Sequence, residues 1–207
     1  MSSLMKILFT GFDPFGGESI NPAYEAVRSL PDQISGTEII KAQVPTVFGR
    51  DGIILENAIV KYRPDAVVCV GQAGGRSCIT VEQVAINLVE ARIPDNEEKQ
   101  PHGIPVIDGG PAAYFSTLPV KDIVEKMKNC QIPAEVSYSA GVFVCNDIMY
   151  RLLHLIDTSY PAIRGGFIHV PYLPEQVLEK PKGQPSMSMD MMEKALEAAA
   201  EVIIQTR

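Results

Sequence analysis

The chain reads as an α/β protein built on a largely parallel, mixed central sheet. As far as Gly71 the apolar pattern runs β-α-β-α-β, the order that winds helices over both faces of a sheet. Lys6–Thr10 and Ala66–Gly71 are apolar at nearly every position instead of alternating, as strands covered on both sides are. The 207 residues are 46% hydrophobic, without a repeat or low-complexity tract, which predicts one globular domain, 1–207, with a core that needs no staples.

Lys6-Ile7-Leu8-Phe9-Thr10 is the first strand. The apolar run from Met1 to Phe12 is too short, and too poor in export features, to read as a signal peptide. The loop Gly11-Phe12-Asp13-Pro14-Phe15-Gly16-Gly17 lacks dinucleotide-binding spacing, and its bulky Phe and Pro residues fill the room a pyrophosphate needs. Phe12 and Phe15 suit one wall of an apolar pocket, or equally plain core packing. Asn21 caps a helix with Pro22 at its first position, running to about Leu30. Glu38–Val44 is a strand. Phe48–Tyr62 is an amphipathic helix with Ile53, Ile54, Ala58 and Val60 at helical spacings.

After the Ala66–Gly71 strand comes the glycine-rich loop Gly71–Arg76, at the carboxyl end of a strand where α/β folds place ligands. The β-branched content of Val81–Val89 favours a strand. Its lone acid, Glu82, is either a paired buried carboxylate or a solvated edge group. The polar stretch from Arg92 to Tyr114 has the composition of a hairpin or flap used for assembly. Val120–Lys128 is a helix. Ser137-Tyr138-Ser139 is extended, Ala140-Gly141 turns, and a helix runs from about Val142 to Leu155. Phe167–Val170 is another buried strand. The last helix runs from Met189 to about Gln205, capped by Ser186 or Ser188.

Composition excludes whole classes of function. A formal net charge of -7 without a basic cluster argues against nucleic acid and anionic membranes as partners. No apolar run approaches the length of about 18 residues that spans a bilayer. Cys69, Cys78, Cys130 and Cys145 are expected as reduced thiols. They form no CxxC, and with three scattered His they show no metal-site spacing, so no metal or cofactor is expected.

Three side chains carry the chemistry. Cys145 falls in the first turn of a helix, where unpaired N–H groups and the helix dipole favour a thiolate; it is equally a residue type that packs into cores. His169 ends a buried strand. His154 lies nine residues past Cys145 on the same helix, about 180° round at ~100° per residue, and His102 sits in the polar stretch. His169 is therefore the best base candidate, with a satisfied core histidine as the alternative. Nucleophile, base and an orienting carboxylate are the parts of a cysteine hydrolase, and Cys145, His169 and Glu82 are of those types.

Several long segments together carry a resemblance: Thr10-Gly11-Phe12-Asp13-Pro14-Phe15-Gly16-Gly17 with Asn21-Pro22, Gly71–Arg76 with Ile79–Asn87, Ala91–Asn96, Ser137–Asn146 and Phe167–Pro171. They cover nearly the whole chain, which resembles the pyroglutamyl peptidase I (pyrrolidone-carboxylate peptidase) family of cysteine peptidases. The resemblance implies a three-layer α/β/α sandwich and removal of N-terminal pyroglutamate from peptides and proteins, without a metal. It implies Cys145 as nucleophile, His169 as acid and base, and Glu82 as the group orienting His169. It further implies a cytoplasmic homotetramer. Arg92 becomes a helper at the oxyanion by resemblance, or a partner of Glu90 or Asp95. Phe12, Phe15 and Phe143 would form a slot for the uncharged lactam, and Gln72 would hydrogen-bond it. One departure is Gln83, where the family usually has Lys or Arg, altering the charge beside Glu82. Two other readings are a nucleoside phosphorylase or hydrolase using Gly71–Arg76 as an anion loop, and a catalytically silent protein that binds the pyroglutamyl group.

Overall fold

A computed structural model describes residues 4–206, so Met1–Ser3, the start of the expected N-terminal apolar run, and Arg207 lie outside it. In chain order the elements are β1 (Lys6–Phe12), α1 (Pro22–Ser29), β2 (Gln33–Ile34), β3 (Thr37–Val44), α2 (Arg50–Tyr62), β4 (Ala66–Gln72), β5 (Ile79–Glu82), β6 (Val84–Ile86), β7 (Ala113–Phe115), α3 (Val120–Asn129), β8 (Ala134–Ser137), α4 (Val144–Thr158), β9 (Arg164–Val170) and α5 (Met189–Gln205). Seven strands form one sheet in the order β2-β3-β1-β4-β9-β5-β8, while β6 and β7 make a separate pair. The sheet is mixed as expected. β3, β1, β4 and β9 run parallel to one another, as do β5 and β8, whereas β5 runs antiparallel to β9 and β2 to β3.

Strand periodicity sorts side chains into two cores and, with them, sets the site. Ile7, Phe9, Val68, Val70, Val81, Ile168 and Val170 point to the face covered by α1, α3 and α5. Leu8, Val67, Cys69 and Phe167 point to the face covered by α2 and α4. Successive strand residues face opposite ways. Gly71, Thr80, Glu82 and His169 therefore fall on the α4 side. Register then brings them together: Gly71 pairs with His169, Thr80 with His169, and Glu82 with Phe167.

The termini of the helices follow local chemistry. Asn21 caps α1, its Oδ1 accepting from the Ala23 N–H at 3.0 Å, with Pro22 at the first position. Ser188 caps α5. Three expectations need correction. The buried side of α2 is Leu55, Ala58 and Ile59, whereas Ile53 and Val60 are 61% and 57% exposed. The Val81–Val89 run is not one strand. At Gln83 the backbone leaves the main sheet, its N–H reaching Ser137 O at 2.7 Å, and Val84–Ile86 pairs instead with Ala113–Phe115. The extended run before Cys145 ends at Ser137, and the helix begins at Val144, two residues later than its apolar spacing indicates.

The polar stretch is a folded flank, not a free flap. Asn87 holds the Ile107 N–H at 2.9 Å and donates to the Ile107 and Gly110 carbonyls. Asp95 is buried and accepts backbone N–H groups of Phe48, Glu97 and Lys99.

Candidate active site

The site forms where the carboxyl ends of β1, β4 and β9 meet the start of α4. Ahead of that helix Gly141 takes φ +81°, a conformation glycine adopts without penalty, and Phe143 is extended at the N-cap. Phe143 has no side-chain oxygen to cap the helix, so the first-turn N–H groups stay free of a side-chain acceptor. Asn146 pins this end in place. Its Oδ1 accepts from Ile86 N at 2.9 Å, and its Nδ2 donates to Ile86 O at 2.8 Å and Leu88 O at 3.1 Å.

Cys145, in the first turn, projects its sulfur over Gly71. A Cβ on Gly71 would stand 2.8 Å from Cys145 Sγ and 2.6 Å from Phe167 Cζ, so only glycine leaves that space. His169 is the register partner of Gly71 on β9 and is 4% exposed. Its Nδ1 lies 2.8 Å from Glu82 Oε1. With Nδ1–H donating to the carboxylate, Nε2 is left as the free base of the ring. Glu82 is 0% exposed and is paired, not a solvated edge group. Arg76 Nη1 donates to the same Oε1 at 2.7 Å and to Thr80 Oγ1, and Arg76 Nη2 donates to Ser139 O at 3.2 Å.

Burial opposes charge at Glu82, but His169, Ser137 and Arg76 outweigh it and hold the carboxyl below its ordinary value. Burial lowers His169 despite its bond to Glu82. Burial, then the Glu82 and Asp51 carboxylates, push the Cys145 thiol well up, with Arg76 acting the other way. Burial thus works against the charged form of both groups that line the cleft. Against the helix terminus, which favours a thiolate, stand the loss of water and the nearby Glu82 carboxylate. Cys69, fully buried below, is pushed up to about 12 by burial. All four cysteines are free.

Cys145 and His169 open on a cleft of about 620 Å³. Phe12, Phe15, Gln72, Arg92 and Phe143 line the same cleft, whereas Glu82 lies behind His169, out of it. Phe143 is the hub of an aromatic wall, with ring centroids 6.4 Å from Phe15 and 5.1 Å, edge-on, from Phe48. The loop carrying Phe12 and Phe15 is tied down through Asp13. Its carboxylate accepts from the Thr46 N–H and Asn96 Nδ2, and its carbonyl from Asn21 Nδ2 and the Thr46 hydroxyl. Arg92 is exposed, with no ion pair to Glu90 or Asp95. Glu90 binds His102 and the Gly103 N–H, and Asp95 is taken by backbone. His154 lies apart, bonded to Tyr114.

Sequence reasoning missed three contributors. Asn146 and Gln176 act on groups far away in the chain, Asn146 on Ile86 and Leu88, and Gln176 on Gln72, to which its Nε2 donates. Arg76 was visible only as the end of a glycine-rich loop. It, and not a cation at Gln83, supplies the charge beside Glu82, since Gln83 is neutral and uses its backbone to join β8 and β7.

A family model described as pyroglutamyl peptidase matches residues 5–206. A pyrrolidone-carboxylate peptidase of Enterococcus faecalis is 57% identical over 98% of this chain and 95% of its own length. One from Thermosipho africanus is 54% identical over 97% and 98%. The crystal structure of the pyroglutamyl peptidase I from Bacillus amyloliquefaciens superposes with a TM-score of 0.94 at 54% identity, covering 97% of this chain and 95% of that one. A mutant pyrrolidone carboxyl peptidase from Pyrococcus furiosus also gives 0.94, at 43% identity, covering 98% and 99%.

Proposed function

Because the chain belongs to the pyroglutamyl peptidase family, cysteine-type exopeptidases that remove N-terminal pyroglutamate, we propose that it does so with Cys145 as nucleophile, His169 as base and acid, and Glu82 orienting His169. The observation that supports this assignment is the buried 2.8 Å contact between His169 Nδ1 and Glu82 Oε1, behind a cleft that Cys145 and His169 share.

Burial favours a start with both partners neutral. As Cys145 Sγ attacks the carbonyl carbon after the lactam ring, its proton passes to His169 Nε2. The oxyanion meets the free N–H groups at the start of α4, with Arg92 within the same cleft as a helper. The C–N bond breaks as His169 returns the proton to the leaving amine, and a thioester remains. Water then attacks the thioester, His169 accepting its proton and passing it to the departing sulfur. Pyroglutamate is released. Glu82 keeps the imidazole in the tautomer that leaves Nε2 basic and offsets its charge while protonated.

The pocket suits a lactam. Phe12, Phe15 and Phe143 supply apolar surface for an uncharged five-membered ring. Gln176 sets the direction of Gln72: Gln176 Oε1 accepts from Leu173 N at 3.0 Å, and its Nε2 donates to Gln72 Oε1 at 2.9 Å. The Gln72 amide N–H₂ is therefore the end available to the lactam carbonyl. Proline lacks that carbonyl, so selectivity follows from the partner it leaves unpaired. The anion-loop reading fares worse, because the Arg76 guanidinium is spent on Glu82, Thr80 and Ser139.

The reading extends to residues 1–207 as a single catalytic domain that needs no metal. It includes a cytoplasmic location, no nucleic-acid or membrane partner, and a homo-oligomer, by family a homotetramer. The side chains of Phe115 and Tyr138, 68% and 70% exposed, offer apolar surface for such contacts. No helix of the described residues is long and apolar enough to cross a membrane.

The test is fluorophore release from a pyroglutamyl amide in reducing buffer with EDTA, with the prolyl amide as control. Wild type should cleave only the pyroglutamyl compound and Cys145→Ser neither. Turnover surviving in Cys145→Ser removes the proposed nucleophile. Tight pyroglutamyl binding without turnover in wild type would establish the silent binding protein instead.

A further inference from the structure

We propose that Arg76 is a positioning residue for this hydrolysis: one guanidinium nitrogen fixes the carboxylate behind His169, and the other fixes the loop that leads into the Cys145 helix. The proposal rests on the assignment of Cys145, His169 and Glu82 above.

The geometry is specific to a planar, forked cation. Arg76 Nη1 lies 2.7 Å from Glu82 Oε1, the same oxygen that meets His169 Nδ1, and also meets Thr80 Oγ1. Nη2 reaches the Ser139 carbonyl at 3.2 Å. Ser139 begins the turn that passes Gly141 and Phe143 to Cys145, and its hydroxyl accepts from the Gly141 N–H at 3.2 Å. The ladders of β5 with β9 and with β8 set Glu82 and His169 and run as far as Ser137, but the turn at Ser139 lies beyond them, held to this frame by the guanidinium. One guanidinium spans the gap between carboxylate and turn. A lysine ammonium is a point charge on a flexible stem and cannot hold both at fixed angles.

Two effects on His169 follow. Arg76 competes for Oε1, so the imidazole sees a carboxylate already partly neutralised. Its positive charge also disfavours imidazolium. The charged and titratable groups around this point are Glu82 from β5, Cys145 from α4 and Arg76 itself, with the Ser137 hydroxyl of β8 bonded to Glu82 and Asp51 of α2 acting on Cys145. Without Arg76, His169 should hold a proton to higher pH. The acid limb of the pH–rate profile should then move upward.

The experiment compares wild type, Arg76→Met and Arg76→Lys on the pyroglutamyl amide, reading kcat, KM, the pH profile of kcat/KM and thermal unfolding. Arg76→Met should lower kcat about 10- to 100-fold, with KM within about twofold, and raise the acid limb. Arg76→Lys should return the acid limb towards wild type while recovering only part of kcat. A loss of stability with the acid limb unmoved would reduce Arg76 to a structural brace and overturn the proposal. A raised KM with kcat intact would make it a substrate contact and overturn it equally. If Arg76→Met does not fold, the lysine variant decides alone: full kcat with lysine removes any need for the fork. Inactivity of wild type itself would sink the peptidase assignment, a failure visible before any Arg76 variant is measured.

Discussion

Cys145 Sγ hangs directly over Gly71, 2.8 Å from the point a Cβ on that glycine would occupy. The Cys145 sulfur thus rests on a strand that has no side chain at that point. Gly71→Ala would press a methyl into both Sγ and Phe167 Cζ. Stability should fall by ~1–3 kcal/mol, the usual cost of overpacking. Activity should fall further, by about 100-fold, because Sγ is displaced from His169. Steady-state kinetics beside thermal unfolding measure both, and an alanine variant with native kcat would contradict this account of the floor.

A thiol that rests neutral has a distinct reactivity profile. Alkylation of Cys145 by iodoacetamide should accelerate steadily as pH rises from about 6 to 9, because burial and Glu82 hold the thiol up. A preformed thiolate–imidazolium pair would instead give a rate plateau through neutrality. Observation of that plateau would show that the proton already sits on His169.

Beneath the site, Asp51 of α2 faces Asp147 in the first turn of α4. Asp51 is 0% exposed. Burial first, then the Asp147 charge, hold its carboxyl well above the ordinary range. A carboxyl raised on folding stabilises most below its unfolded value, about 4, and loses that contribution as pH climbs towards the folded value. Asp51→Asn keeps the shape and removes the titration. Its stability should fall less than wild type's as pH rises from about 5, as chemical denaturation will report; parallel curves would refute this. Asp147→Asn is different, because Arg151 Nε holds the Asp147 carboxylate at 2.7 Å. It should cost about 2–3 kcal/mol, tempered by the water that Arg151 keeps.

Gln72 is aimed by Gln176, and the two should fail in related ways. Gln72→Leu should raise KM for the pyroglutamyl amide about tenfold, the value of one lost hydrogen bond of ~1.4 kcal/mol. Gln176→Leu leaves Gln72 free to rotate and should raise KM by less. An unchanged KM in Gln72→Leu would place the lactam carbonyl on backbone groups instead.

Much of this was legible along the chain. Continuous apolar runs show strands covered on both faces, and Asn21-Pro22 and Ser188 announce their helices by capping chemistry. Cys145 stood out at a helix start and His169 at a strand end, since each position has a local physical meaning. The misreadings arose where a partner distant in sequence decides. Ile53 and Val60 fit a helical stripe as well as Leu55 and Ile59 do, and only the placement of α2 on the sheet separates them. Nothing in Val81–Val89 reveals that β8 ends at Ser137 and releases the backbone at Gln83. Arg76 carries no local signal, because its partners become neighbours only when β5, β8 and β9 align.

That alignment bears on how the molecule is made. β9 is the last strand of the sheet in chain order, yet it sits in the interior, between β4 and β5. Until residues 164–170 leave the ribosome, β4 and β5 have no common neighbour and their inner edges stand open. Glu82 then waits for a histidine 87 positions downstream. Closure therefore depends on a long-range insertion, which folds slowly compared with local pairing and leaves apolar edges exposed meanwhile. No chain that stops short of His169 can bring it to Glu82, and recovery of turnover after denaturation marks the moment the final strand slots home.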